Sequence, residues 1–138
     1  KEPLSLILFD VDDFKRYNDS YGHQKGDDCL IQITRAVKKV LHRSTDLLAR
    51  YGGEEFVIIL ANTPPSGAIV IAQQIQAAIH ALEIPHFNSR ASGIVSVSLG
   101  IASLIPSPEL LPEVLIERAD QALYQAKAAG RDRYVLNL

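Results

Sequence analysis

Methionine is absent from this sequence, so the expectation is a piece of a longer translation product rather than a complete one. Cysteine occurs once, as Cys29, which excludes an internal disulfide and suits a reducing compartment. Its place in an apolar helical stripe makes it a core residue. No apolar run is long enough to cross a bilayer, and no signal peptide is expected. An excess of one charge is also missing: 14 Lys and Arg stand against 16 Asp and Glu, a formal net charge of −2. Neither a nucleic acid nor a membrane surface is therefore an expected partner. The four histidines show no metal-ligand spacing. The domain is expected in the cytoplasm, whether its parent protein is free or membrane-tethered.

What remains is a chain of 138 residues, long enough for one domain with a substantial core, and residues 1–138 are read as one unit. The pattern alternates. An apolar strand over about Leu4–Val11 feeds a short helix through Tyr17, and a loop over Asn18–Lys25 precedes a longer helix. Leu30, Ile33, Val37, Val40 and Leu41 give that helix one buried face. Two β-favouring runs, Asp46–Arg50 and Phe56–Leu60, form a hairpin. Pro64-Pro65 opens the next helix, with Ile71, Ile75, Ile79 and Leu82 inward. After a polar connection at His86–Gly93 comes a strand over Ile94–Ala102, then a helix over about Pro112–Ala129 stopped by Gly130, then a strand over Tyr134–Leu138. The fold class expected is α+β, a five-stranded, mostly antiparallel central sheet with surrounding helices.

Two segments carry chemistry. The first is Arg50-Tyr51-Gly52-Gly53-Glu54-Glu55-Phe56, where twin glycines and adjacent acids sit at the hairpin bend. Glycine accepts positive φ there, and its missing Cβ lets a ligand approach the backbone. Adjacent acids repel each other unless a cation or a proton joins them. The alternative is a polar tip in solvent. The second segment is Leu6-Ile7-Leu8-Phe9-Asp10-Val11-Asp12-Asp13-Phe14-Lys15, a buried strand ending in an acid. Beside Glu54, Asp10 would offer oxygen ligands to Mg²⁺, which is commonly held by one or two carboxylates plus substrate phosphates. Asp12 and Asp13 are expected to cap the following helix.

These segments, with Asn18-Asp19, Tyr21-Gly22-His23 and Gly26-Asp27, resemble a GGDEF domain, the catalytic module of diguanylate cyclases. The resemblance continues through Val97–Ala102 and Arg118–Lys127 to Gly130-Arg131, nearly the whole chain. Family members usually carry a further N-terminal helix with a Leu-Thr-Gly-Leu and Asn-Arg-Arg signature, which this sequence does not contain. The resemblance implies a fold like nucleotidyl-cyclase and polymerase palm domains. It also implies condensation of two GTP into cyclic di-GMP by a homodimer, with release of two pyrophosphates.

By motif position, Asp10, the Val11 carbonyl and Glu54 would ligate Mg²⁺, with Mn²⁺ the alternative ion. Glu55 would be a further ligand or share with Glu54 the role of general base, and Lys15 would stabilise charge on the transferring phosphate. Backbone N–H groups at Asp13 and Phe14 would hold terminal phosphates, with Lys127 and Arg131 completing the cradle and Gly52 and Gly53 giving close access. Taken alone, those two cations suit a helix C-terminus. Asn18 and Asp27 would read guanine, whose N1–H and amine are donors, with His23 a loop residue near the nucleotide. The plainer readings are a turn residue for Asn18 and an N-cap for Asp27.

Arg43 and Asp46 stand where the family places an inhibitory product-binding motif of Arg-x-x-Asp form, able to clamp phosphate and take a guanine edge. Some relatives have an arginine where this chain has Gln74. The rival readings are a receptor that only binds cyclic di-GMP, a cyclase of another base specificity, and a plain dimerisation module.

Overall fold

The computed structural model describes residues 2–137. In chain order the elements are β1 (Leu4–Val11), α1 (Phe14–Tyr21), α2 (His23–Val40), β2 (Asp46–Gly52), β3 (Glu55–Leu60), α3 (Pro65–His80), β4 (Val97–Leu104), α4 (Pro112–Ala128) and β5 (Tyr134–Asn137). Five strands make one sheet in the order β2-β3-β1-β4-β5. All neighbouring pairs run antiparallel except β4 with β5. The expected α+β architecture stands. The expected last strand ends at Leu138, which lies outside the described residues.

β1 is central because both its faces are apolar, as a strand covered on both sides requires. Ile7, Phe9 and Val11 face the larger core with α2 and α3, where Ile33, Val37, Ile75 and Ile79 are buried. Leu6 and Leu8 face the smaller core beneath α4, with Leu115, Ala119 and Leu123. α4 lies so close to β4 that a Cβ at Gly100 would collide with the Ala119 carbonyl and the Leu123 backbone. Cys29 is buried in the larger core, as its stripe position implied.

Four local expectations are corrected. The loop over Asn18–Lys25 is helical apart from Gly22, whose φ of 93° breaks α1 from α2. Tyr17 and Tyr21 pack with ring centroids 4.7 Å apart and planes tilted by 35°, and this packing carries α1 through residues whose local preference is for turns. Asp27 therefore sits inside α2 and is not its N-cap. Neither Asp12 nor Asp13 caps α1 through its side chain. Finally, β4 starts at Val97, while Ile94 makes only an isolated bridge with Pro85.

Candidate active site

Register places the two acidic segments together. Asp10 is the cross-strand partner of Glu55, and the Val11 N–H donates to the Glu54 carbonyl at 3.3 Å. β2 and β3 run to the tip, leaving Gly53 and Glu54 as the turn, with Gly53 at φ 47°. Of the twin glycines only Gly53 uses positive φ; Gly52 ends β2 at an irregularity in register. Arg50 holds the bend by donating from Nε to the Gly53 carbonyl at 2.7 Å.

Beside this tip lies a concavity of about 150 Å³, lined by the β1–α1 turn from Asp10 to Lys15, by Glu54, and by Lys127 and Arg131. Asp10 is its anchor. Burial pushes the Asp10 carboxyl up to about 6, against the lowering effect of Lys127, and the charges of Glu54 and Glu55 add to the rise. The Lys127 ammonium donates to Asp10 Oδ2, while Oδ1 is buried without a partner. A buried, unpaired carboxylate oxygen facing a second acid suits a hard divalent ion. Among the described residues no three acid, histidine or cysteine side chains form a metal cage. The donor set therefore fits Mg²⁺ only when substrate oxygens or water complete the shell.

The other two aspartates of the run do different work. Asp12 is buried and satisfied: its carboxylate accepts from Ser96 Oγ at 2.6 Å, Ser98 Oγ at 2.5 Å and the Asp132 N–H at 3.0 Å. It ties the end of β1 to β4 and to the turn carrying Arg131. Burial raises the Asp12 pKa, partly offset by those hydrogen bonds. Asp13 adopts a left-handed conformation, φ 51° and ψ 40°, and its carboxylate is gripped by Arg90.

A model of the family described as "Diguanylate cyclase, GGDEF domain" matches residues 1–133. This chain belongs to the GGDEF family. It is 38% identical over 137 residues to Diguanylate cyclase A of Treponema denticola, covering 99% of this chain and 36% of that protein. It is 37% identical over 134 residues to the response regulator PleD of Caulobacter vibrioides, covering 97% of this chain and 29% of that protein. The chain spans about a third of the length of these curated relatives. The active GGEEF domain of a diguanylate cyclase from Vibrio cholerae superposes with a TM-score of 0.85 at 35% identity, covering 99% of this chain and 84% of that one. The GGDEF domain of DgcB from Caulobacter crescentus in complex with c-di-GMP gives 0.84 at 30% identity, covering 97% and 77%.

In this GGDEF domain the residues expected to read the base lie apart from the acid cradle. Asp27 opens onto a wider concavity of about 590 Å³, walled by α2 residues Leu30 and Thr34 and by Arg50 and Phe56 of the hairpin. Asn18 packs over Gly26, where a Cβ would strike the Asn18 amide, and its Oδ1 is buried without a partner. His23 is exposed at the start of α2. Lys15 lines the cradle but is 89% exposed, its ammonium 3.2 Å from Asp19.

The Arg43 and Asp46 pair is engaged internally. Arg43 donates to Asp46 Oδ1 from Nε at 3.1 Å and Nη2 at 2.8 Å, and Nη2 also reaches the Ala61 carbonyl and Thr63 Oγ1. Gln74 is exposed on α3. Among the described residues no helix is long and apolar enough to cross a membrane. Sequence reasoning gave no role to Arg50, Arg90 or the Asp12 network. Arg50 stood inside the hairpin motif and was open to discovery; Arg90 lies in a polar connection and meets its partner only through the fold.

Proposed function

We propose that this domain is a diguanylate cyclase, joining two GTP molecules into cyclic di-GMP and releasing two pyrophosphates. The observation that carries the reading is the buried Asp10 carboxylate, with one oxygen unpartnered, beside Glu54 in a concavity that also holds Lys127 and Arg131. Each 3′-hydroxyl attacks the α-phosphorus of the other nucleotide, and pyrophosphate leaves from that phosphorus. One domain holds one GTP, so two copies must face each other.

Asp10, the Val11 carbonyl and Glu54 are the groups that would hold Mg²⁺, with Mn²⁺ as the alternative, and the ion supplies polarisation of the triphosphate and the attacking hydroxyl. This role explains why the fold leaves Asp10 underpaired. Glu54 and Glu55 are the carboxylates available to take the hydroxyl proton. Lys127 pairs with Asp10 in the free domain and would be freed to supply positive charge to the triphosphate were a divalent ion to take that carboxylate. Arg131 and Lys15 supply further positive charge, and the first-turn N–H groups of α1 at Asp13 and Phe14 supply donors to the terminal phosphates. Close access at Gly52 and Gly53 leaves room for the second nucleotide.

At the base end, Asn18 Oδ1 and the Asp27 carboxylate are acceptors, matching the two donors of guanine. Adenine offers an acceptor at N1, so Asp27 would face an unmade bond, and selection for GTP over ATP follows. His23 lies at the rim of the same helix end. Arg43 and Asp46 form the product site, and product must separate the two before it can use both. That exchange makes inhibition weak unless cyclic di-GMP replaces the broken bonds with its phosphates and guanine edge.

Incubation with Mg²⁺ and GTP or ATP, followed by product identification by mass, tests the reading. Cyclic di-GMP from GTP alone is expected, with specific activity rising as protein concentration rises. A GTP-binding domain with no product is a receptor, and a product from ATP reassigns the base site. Activity strictly proportional to concentration contradicts the two-copy scheme.

A further inference from the structure

We infer that Arg90, with His86, is a positioning residue for the phosphate-binding turn: it locks Asp13 in a left-handed conformation that aims the opening N–H groups of α1 into the cradle. The inference rests on the cyclase reading above for its link to GTP, and on geometry alone for the lock itself.

Asp13 is the single residue between the buried Asp12 and the start of α1, at φ 51° and ψ 40°. An L-residue with a Cβ pays for this conformation, whereas glycine adopts it freely. The segment from Pro85 to Ile94 holds Asp13 there from outside. His86 is fully buried, and its Nε2 lies 3.0 Å from the Asp13 carbonyl. A carbonyl only accepts, so Nε2 carries the proton. The Arg90 backbone N–H donates to Asp13 Oδ2 at 2.7 Å, and its guanidinium donates to Oδ1 from Nη2 at 2.6 Å and from Nε at 3.1 Å.

The same segment is fastened to α1 at a further point. The Phe87 N–H donates to the Tyr21 hydroxyl at 3.2 Å, and the Tyr17 ring meets the His86 ring edge-on at 5.3 Å. Arg131 Nε is 3.8 Å from Asp13 Oδ1, so Asp13 also steadies one cation of the cradle. Arg90 spends its Nε, one Nη and its backbone donor on Asp13, which marks it as a holder of the turn rather than a ligand of phosphate. Burial would raise the Asp13 carboxyl, but the Arg90 hydrogen bonds and charge prevail and hold it below the usual range. The ionised carboxylate has its charge balanced by the Arg90 guanidinium 2.6 Å away.

The test compares Arg90→Ala and Arg90→Lys in the native background and in Asp13→Gly. Amide hydrogen exchange at Phe14 and Lys15 is read together with KM and kcat for GTP. In the native background Arg90→Ala should speed exchange at these amides and raise KM for GTP about five- to tenfold, the scale of a lost left-handed preference, with kcat changed much less. Arg90→Lys keeps the charge without the fork and should fall between the two. In Asp13→Gly, whose backbone needs no lock, the effect of Arg90→Ala on both readouts should vanish. Unchanged exchange in Arg90→Ala overturns the inference. So does a KM penalty that persists undiminished in Asp13→Gly, which would make Arg90 a direct phosphate ligand. If the cyclase reading itself fails, GTP is not turned over by the unsubstituted domain, while the exchange measurement still decides whether the lock exists.

Discussion

Asp10 near the end of β1 and Asp12 just beyond that strand lie two residues apart, both almost wholly buried, and the fold treats them in opposite ways. Asp12 receives three hydrogen bonds, from Ser96 just before β4, from Ser98 within it and from the turn before β5. Asp10 receives one cation on one oxygen and nothing on the other, with two further acids nearby. A satisfied buried carboxylate is a structural tie. An unsatisfied one, kept beside like charges, is a site waiting for a positive partner. The difference separates a carboxylate that ties the fold together from one left open to a cation.

The largest effects should come from the underpaired side. Glu54→Gln keeps shape but removes a charge, and should lower the rate of cyclic di-GMP formation by more than about 10³-fold while GTP binding persists, as loss of metal assistance implies. Steady-state kinetics with an equilibrium binding assay checks both halves. Retained turnover would place the ion elsewhere.

The satisfied side should respond in stability. Asp12→Ala strands two buried hydroxyls and the Asp132 N–H, and should cost about 2–4 kcal/mol in urea unfolding. It should also reduce activity in the surviving folded fraction, because the turn bearing Arg131 loses its tie. A loss below about 0.5 kcal/mol, the range of ordinary surface substitutions, would show that the network carries no weight.

The comparison is sharpened most by Asp10→Asn, because its sign is opposite. The folded pKa of Asp10, about 6, lies above its ordinary 3.8, so the folded state holds this proton more tightly than the unfolded chain. Its stabilising contribution is complete below about pH 4 and is lost as pH rises through 6. In the absence of divalent ion the amide should therefore stabilise the fold at pH 8, by on the order of 1 kcal/mol after the loss of the Lys127 contact, and by less at pH 5. Turnover should be abolished at either pH. Chemical denaturation at the two values checks it, and a destabilised variant at pH 8 would contradict the account.

Much of the fold was legible because its signals are local. The alternating strands, the twin-glycine bend and the helical stripes of α2 and α3 depend on near neighbours, and they fall where periodicity puts them. The junction of α1 and α2 was not legible. Asn18, Asp19, Ser20 and Gly22 favour a turn, and the packing of Tyr17 and Tyr21 against the segment around His86 overrides that preference. Asp10 and Glu54 could be paired from sequence because β1 and the hairpin carry the motif. The fates of Asp12 and Asp13 could not. Their partners, Ser96, Ser98 and Arg90, lie more than 70 residues away, and capping was the cheapest local use for both. Arg43 and Asp46 were singled out by their place relative to the twin glycines, and the ion pair they make with each other was not foreseen.

The central claim is that Asp10 and Glu54 share one divalent ion over a guanosine triphosphate. A crystal of the domain with Mn²⁺ and a non-hydrolysable GTP analogue, examined by anomalous scattering, tests it most directly. The account predicts a single strong peak between the two carboxylates, with the Lys127 ammonium moved from Asp10 to the phosphates. A peak elsewhere, or Lys127 still seated on Asp10 with the analogue bound, would contradict it.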